Sequence, residues 1–244
     1  MKKKVVILAN GAFPRKGGAA RAALEKADVV VACDGAADVL YRMMKRRADY
    51  IVGDLDSLSP LNLKGLSPLS KGLSPQKLRG LSPVLGGLSP QKLRGLSPEK
   101  CKKENIIYIF DQNTNDLTKA IEFCRGKGWR EPIIVGATGK REDHSLGNIF
   151  RAMEAGVDIL TDTGVFRPIP ECNRRAPFVL KVKKGTPISI FATDPETRMT
   201  SAGLEWPLDG VRFANLYCAT LNRANCTEVT LTTSHPAFLF YPFC

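Results

Sequence analysis

Four short apolar runs, each leading into acidic residues, constrain this chain more than any other feature. Asp34 follows Val29-Val30-Val31-Ala32-Cys33, and Asp54 and Asp56 follow Tyr50-Ile51-Val52-Gly53. Asp111 and Asp116 follow Ile106-Ile107-Tyr108-Ile109-Phe110, and Asp143 lies in the loop after Ile133-Ile134-Val135. Runs rich in Val and Ile and bounded by Gly or Asp read as parallel strands buried on both faces. In open α/β sheets, ligands bind beyond the carboxyl ends of the strands. Carboxylates gathered there repel one another unless a cation sits between them. Oxygen-only donors suit a hard ion such as Mg²⁺, held by a few carboxylates and the oxygens of a bound phosphate. The pattern therefore predicts a metal-assisted phosphoryl-transfer site.

The remaining punctuation supports that layout. Strand Val5–Ala9 leads through Asn10-Gly11 to a helical run around Ala19–Lys26, and strand Val29–Cys33 leads to a helix from about Ala36 to Arg46. Strand Ile106–Phe110 precedes a helix from Asn115 to Arg125 with Thr114 as its cap, and Ile133–Val135 precedes one from Ser145 to Gly156. Strands alternating with helices imply a parallel sheet. After about Pro168 the texture changes. Phe178–Val182, Ile188–Phe191, Glu228–Thr232 and Phe238–Tyr241 are strand-like, with turn residues between them. The expected class is an α/β amino-terminal domain over residues 1–165, carrying a parallel sheet, and an all-β carboxy-terminal domain over 170–244.

The charge is uneven. The formal balance is +12, but nine Lys/Arg and one acid (Glu99) fall between Leu58 and Lys103, so that stretch holds +8 of it. It is a repeat: Gly-Leu-Ser-Pro recurs at 65–68, 72–75, 80–83, 87–90 and 95–98, and GLSPQKLRG occurs twice. Stacking repeats are about 20 residues or longer, each with an apolar face. Here Pro and Gly interrupt every unit, and no aromatic offers a base a stacking surface. Residues 61–100 read as a surface loop expanded by duplication, which a fold tolerates because loop entropy grows only logarithmically with length. A basic tether for nucleic acid or another polyanion is the alternative, and an ordered mini-domain a third. In that alternative the protein is a polyanion binder on a catalytically impaired scaffold.

Composition excludes other classes. The apolar fraction of 43% suits a sizeable core. No apolar run approaches the roughly 18 residues of a membrane span. The basic start and Val5–Ala9 fall short of the ~7 apolar residues of a signal peptide. Seven scattered cysteines form no CxxC pair and no zinc spacing with His144 and His235, which fits reduced thiols in a cytoplasmic protein.

Individual motifs sharpen the site. Asp54 and Asp56, two apart in an extended turn, point the same way and can meet one ion. Asp116 and Lys119 share a helix face, either as an ordinary ion pair or as a carboxylate for metal beside an ammonium for phosphate. Gly136-Ala137-Thr138-Gly139-Lys140-Arg141 has the wrong spacing for a Walker loop, yet its glycines let backbone amides approach an anion and Arg141 can fork onto phosphate. His144 is a second-tier acid, base or hydrogen bonder.

Taken in order, these motifs resemble the thiamine pyrophosphokinase family. The resemblance is carried by Val52-Gly53-Asp54-Leu55-Asp56-Ser57, by Asp111 to Ala120, and by Gly136 to His144 with Asn148. Asn10-Gly11, Asp34-Gly35-Ala36, Gly203-Leu204-Glu205-Trp206-Pro207-Leu208 and His235-Pro236 fit the same pattern. It implies an α/β catalytic domain, a β-sandwich domain, and a homodimer binding thiamine across its interface. The implied reaction is Mg²⁺-dependent transfer of pyrophosphate from ATP to thiamine. It assigns Asp54, Asp56 and Asp116 to the metal, with Asp111 nearby, and Lys119 and Arg141 to the phosphates. Asn10, Asp34, Gly35, Gly136, Thr138 and Gly139 would line the nucleotide pocket, with Asp143, His144 and Asn148 beside it. Trp206 would lie by the thiamine ring, where a cationic heteroaromatic can stack on indole. Asn222 carries over from a family Ser-Asn pair whose serine is Leu221 here, unless Thr220 substitutes. Neither membrane nor nucleic acid is an expected partner.

Overall fold

Two runs of consecutive apolar residues form the centre of the first sheet: β1 (Val5–Leu8) and β2 (Val29–Cys33), buried at every position. Side chains alternate across a strand, so burial of every residue means that both faces are covered, as parallel α/β sheets require. The structure, a computed structural model, describes residues 3–53, 105–108 and 114–243. The chain divides into two compact units, Met1–His144 and Ser145–Cys244.

In the first unit β1 and β2 are joined by β3 (Tyr50–Gly53), β4 (Asn105–Tyr108) and β5 (Ile133–Val135). The order is β5-β1-β2-β3-β4, all parallel, with Val5 opposite Val29, Val31 opposite Tyr50, Tyr50 opposite Asn105, and Val6 opposite Ile133. The chain winds outward from β1 through β4, then returns to place β5 on the other side of β1. That reversal makes the gap between β1 and β5 a topological switch point, where such sheets hold ligands.

Helices cover this sheet. In α2 (Ala36–Met44), Ala36, Ala37 and Leu40 are buried. In α3 (Asp116–Gly126), Leu117, Ala120, Ile121 and Cys124 are buried, the i, i+3, i+4, i+7 spacing of a core-facing stripe. The short α1 (Ala19–Glu25) is finished by Arg46, which donates to the carbonyls of Leu24 (2.6 Å) and Ala27 (2.8 Å). This corrects the expectation that α2 extends to Arg46. Lys45 turns left-handed at φ +53 and ends α2, freeing Arg46 to satisfy carbonyls at the end of another helix. A second correction concerns the cap of α3, which is Asn115 rather than Thr114. Its Oδ1 accepts from the Thr118 amide at 2.8 Å and from the Thr118 hydroxyl at 2.9 Å. A third concerns α4 (Glu142–Glu154), which starts three residues before the expected Ser145 and so takes Asp143 and His144 out of the loop. Glu142 and Asp143 occupy its first turn, where carboxylates suit the positive end of the helix dipole.

The second unit holds two antiparallel sheets. One runs β6 (Ile159–Leu160), β7 (Gly164–Ile169), β14 (Ala237–Pro242), β9 (Pro187–Ala192), β12 (Ala219–Arg223). The other runs β11 (Val211–Arg212), β10 (Arg198–Ala202), β13 (Glu228–Thr233), β8 (Phe178–Lys181). β9 and β13 alternate buried and part-exposed residues. One core cluster draws Ile169, Ile188, Ile190 and Leu239 from the first sheet and Leu180, Met199, Val229 and Leu231 from the second, as in a sandwich. The expected class, α/β followed by all-β, is the class observed. No helix among the described residues is long and apolar enough to cross a membrane.

Candidate active site

The carboxyl ends of β1 and β5 meet in two interlocked loops. The Gly11 amide donates to the Gly136 carbonyl at 2.7 Å, and the Ala12 amide to the Thr138 carbonyl at 2.8 Å. A Cβ at Gly11 would stand 2.4 Å from the Gly136 oxygen and 2.8 Å from that of Thr138, so only a residue without a side chain permits this approach. Gly136 adopts φ +67 and Gly139 φ +83, left-handed conformations that favour glycine. Asn10, Gly136, Thr138 and Gly139 thus come together at the switch point, with Asn10 and Gly139 exposed.

The ends of β2 and β3 supply charge. Asp34 directly follows β2, is 2% exposed and sits at φ +39, its amide donating to the Val52 carbonyl at 3.0 Å. Gly35 is the residue from which α2 starts. Gly53 closes β3 and leaves a gap that two aspartates use. A Cβ there would meet Asp34 Cβ at 2.9 Å and Asp116 Oδ1 at 3.2 Å. Asp34 and Asp116, 82 positions apart in sequence, therefore converge over one strand end. Asp116 opens α3, and its Oδ1 takes the Lys119 ammonium at 3.1 Å. Lys119 is only 5% exposed, so its ammonium is held against Asp116 with little water to compete. The Cys33 thiol donates to the Asp116 carbonyl at 3.7 Å, and burial, reinforced by Asp116, pushes its pKa well up. Cys33 is thus a packing residue and not a nucleophile.

The first turn of α4 builds a separate, exposed group. Arg141 grips Asp143 with two bonds, Nε to Oδ1 at 3.1 Å and Nη2 to Oδ2 at 2.5 Å, and the His144 amide adds a third at 2.9 Å. The Arg141 bonds, aided by the His144 amide, pull the Asp143 pKa from 3.8 to about 2. This pairing persists above the ordinary carboxylate range and is lost as pH falls through about 2. A carboxyl-detected NMR titration is expected to place Asp143 near that value, with Arg141→Ala moving its midpoint up toward 3.8. An unshifted Asp143 in the unaltered protein would show that the fork does not persist in solution.

In the second unit, Asn148 lies half-buried on α4, and Trp206 shows 54% of its surface. The Asn222 side chain is buried and bonded to the main chain of Trp206. Asp54, Asp56 and Asp111, along with the 61–100 repeat, lie outside the described residues. Among the described residues no group of three potential metal ligands occurs. The contribution of Asp34 and Asp116 is an oxygen-only pair, the donor type a hard divalent ion takes. Sequence reasoning missed Gly53 as the gap between the two aspartates. The signal was present, since a glycine ending a β-branched run just before Asp54 marks a close approach.

Comparison with known proteins bears on this geometry. Residues 88–160 match the family model for the catalytic domain of thiamin pyrophosphokinase. The fold is similar to that of thiamin pyrophosphokinase from Candida albicans, with a TM-score of 0.69 at 16% identity, covering 99% of this chain and 90% of that one. It is similar to the Bacillus subtilis enzyme with a TM-score of 0.63 at 14% identity, covering 98% and 99%. For the yeast enzyme the TM-score is 0.59 at 16% identity, covering 99% and 87%. No curated protein matches the sequence.

Proposed function

We propose that this chain is a member of the thiamin pyrophosphokinase family and transfers the pyrophosphoryl group of ATP to the hydroxyethyl oxygen of thiamine, giving thiamine diphosphate and AMP. The observation that carries the proposal is the convergence of Asp34, Asp116 and the nearly buried Lys119 over Gly53, beside a glycine loop at the switch point of the sheet. In this reading the loops Asn10–Ala12 and Gly136–Gly139 cradle the nucleotide. Lys119 and Arg141 neutralise phosphate oxygens, and Asp116 joins Asp54 and Asp56 in holding Mg²⁺. When bound, Mg²⁺ supplies charge neutralisation on the phosphate oxygens.

The thiamine hydroxyl oxygen forms a bond to the β-phosphorus as the bond from that phosphorus to the α,β-bridging oxygen breaks. AMP leaves with that oxygen, and the hydroxyl proton passes to solvent. Alignment and fixed charge carry the barrier reduction, since held reactants and preorganised cations each lower it by several kcal/mol. Trp206 offers an exposed indole for the thiazolium or pyrimidine ring, and we place that site at the interface of a homodimer. The free thiols of Cys33, Cys124, Cys172, Cys218 and Cys226 support a cytoplasmic setting. Purified protein given thiamine, ATP and Mg²⁺ is expected to turn over and to stop when a chelator removes the metal. Turnover unaffected by chelation would refute the metal assignment.

The repeat is expected to be dispensable for this reaction. β3 and β4 pair directly on either side of it. Excising Leu61–Pro98 leaves residues 54–60 and 99–104, thirteen in all, and a parallel crossover needs about a dozen. Activity of the shortened chain is expected within about threefold of the parent. Loss of turnover in a folded, shortened protein would assign the repeat a working part, as would parental activity that falls steeply with salt.

A further inference from the structure

We infer that Asn222 is a positioning residue for Trp206: its amide fixes the main chain of the indole-bearing residue and thereby sets the affinity for the planar cationic substrate. The inference rests on the proposed stacking of thiamine on Trp206. Asn222 is 4% exposed, and its Oδ1 accepts the Trp206 amide at 3.2 Å and the Arg223 amide at 2.8 Å. Its Nδ2 donates to the Trp206 carbonyl at 2.7 Å. Both acceptor sites and one donor proton are thus spent inside the protein, and little surface remains for a ligand. An amide that meets both the N–H and the C=O of one residue does the work of a neighbouring strand.

The local backbone explains why a side chain takes that role. Gly203 to Glu205 runs along 223–225: the Glu205 amide donates to the Arg223 carbonyl at 2.8 Å, and the Asn225 amide to the Gly203 carbonyl at 2.9 Å. Asn225 Nδ2 adds a bond to the Leu204 carbonyl at 3.0 Å. At the next residue the ladder stops, the Arg223 amide going to Asn222 Oδ1, and on its other edge β12 shifts register against β9 between Ala219 and Asn222. Leu221 turns to φ +62 there, and its amide goes instead to Ser189 Oγ at 3.2 Å. Asn222 fills the vacancy. Pro207 follows, with no N–H to offer and a bias of Trp206 toward extended backbone. The result is a large ring held 54% exposed on a fixed main chain. Preorganisation of this kind strengthens binding by reducing what must be ordered when the ligand arrives.

The test uses the full-length protein with Trp129→Phe, which leaves Trp206 as the single indole, the chain having two Trp in all. Asn222→Ala is expected to raise the thiamine KM about tenfold, the equivalent of roughly one lost hydrogen bond. The kcat and the ATP KM should stay within about threefold, and acrylamide should quench Trp206 more readily. Asn222→Asp keeps the acceptor but loses the donor and is expected to show the same direction of change. In a Trp206→Ala background, Asn222→Ala should add nothing, because the residue acts only through the indole. Additive effects would mean that Asn222 touches substrate itself and would overturn the inference. So would unchanged quenching in folded Asn222→Ala, or rapid hydrogen exchange of the Trp206 amide in the unaltered protein. If Trp206→Ala alone leaves the thiamine KM unchanged, the stacking assignment fails, whatever the quenching shows.

Discussion

Lys119→Met is expected to lower turnover about a thousandfold while the protein stays folded. The substitution keeps a long unbranched chain on the core-facing side of α3, where Leu117, Ala120 and Ile121 are also buried. It removes the ammonium that stands 3.1 Å from Asp116 Oδ1. Loss of a preorganised charge aimed at the reacting phosphate typically costs 10²–10³ in rate, or about 3–4 kcal/mol of barrier. The effect on stability should be smaller, about 1 kcal/mol, because the Asp116 side chain is 30% exposed and water can partly replace its partner. The two quantities separate the readings of this pair. If Lys119 and Asp116 are only an ion pair stitching a helix turn, melting falls while kcat barely moves. If Lys119 meets phosphate, kcat collapses with a modest change in melting. Steady-state kinetics beside a thermal melt decides it.

Gly11→Ala should produce the second large effect, through geometry instead of charge. The added Cβ would stand 2.4 Å from the Gly136 carbonyl oxygen, a backbone atom that cannot swing aside. The two loops must separate, breaking the Gly11–Gly136 and Ala12–Thr138 bonds that lock them. Overpacking of this kind costs about 1–3 kcal/mol. A shift of about 1 Å in groups that hold a substrate can cost ~10²-fold in rate. Gly147→Ala is the matched control, since a Cβ there meets nothing within 4 Å in the interior of α4. That change is expected to raise stability by about 0.5–1 kcal/mol, the helix preference for Ala over Gly. Denaturant titration of both variants with kinetics of the first supplies the comparison. Equal stabilities for the two would mean that the loops are not interlocked in solution.

What could be read in advance depended on how a contact is encoded. β1, β2, β3 and β5 were legible because strands of a covered parallel sheet read as unbroken apolar runs, even where, as at Ile133 of β5, one residue is exposed. β10 (RMTSA) and β12 (ATLNR) were not, because each buries only part of its length and breaks its apolar run with Arg, Thr, Ser or Asn. The start of α4 was hidden because Glu142, Asp143 and His144 follow a Gly-Lys-Arg turn and resemble its continuation. Their helical state depends on carboxylates at a helix terminus, a preference worth under ~1 kcal/mol. In the site, aspartates following apolar runs were visible, as was the helical spacing of Asp116 and Lys119. The meeting of Asp34 with Asp116 was not, since it is a contact between distant segments permitted by the missing side chain of Gly53. Asn222 was named from the sequence only as the Asn of a family Ser-Asn pair near the thiamine, and the spending of its amide on the main chain of Trp206 is a tertiary property.

The central claim is that pyrophosphate moves as one unit from ATP to thiamine, and phosphorus NMR of the reacting mixture tests it most directly. With ATP, thiamine and Mg²⁺ present, resonances of AMP and thiamine diphosphate should grow in equal amounts, and neither should appear when any component is left out. Growth of ADP with thiamine monophosphate, or a static spectrum from a folded protein that binds both substrates, would contradict it.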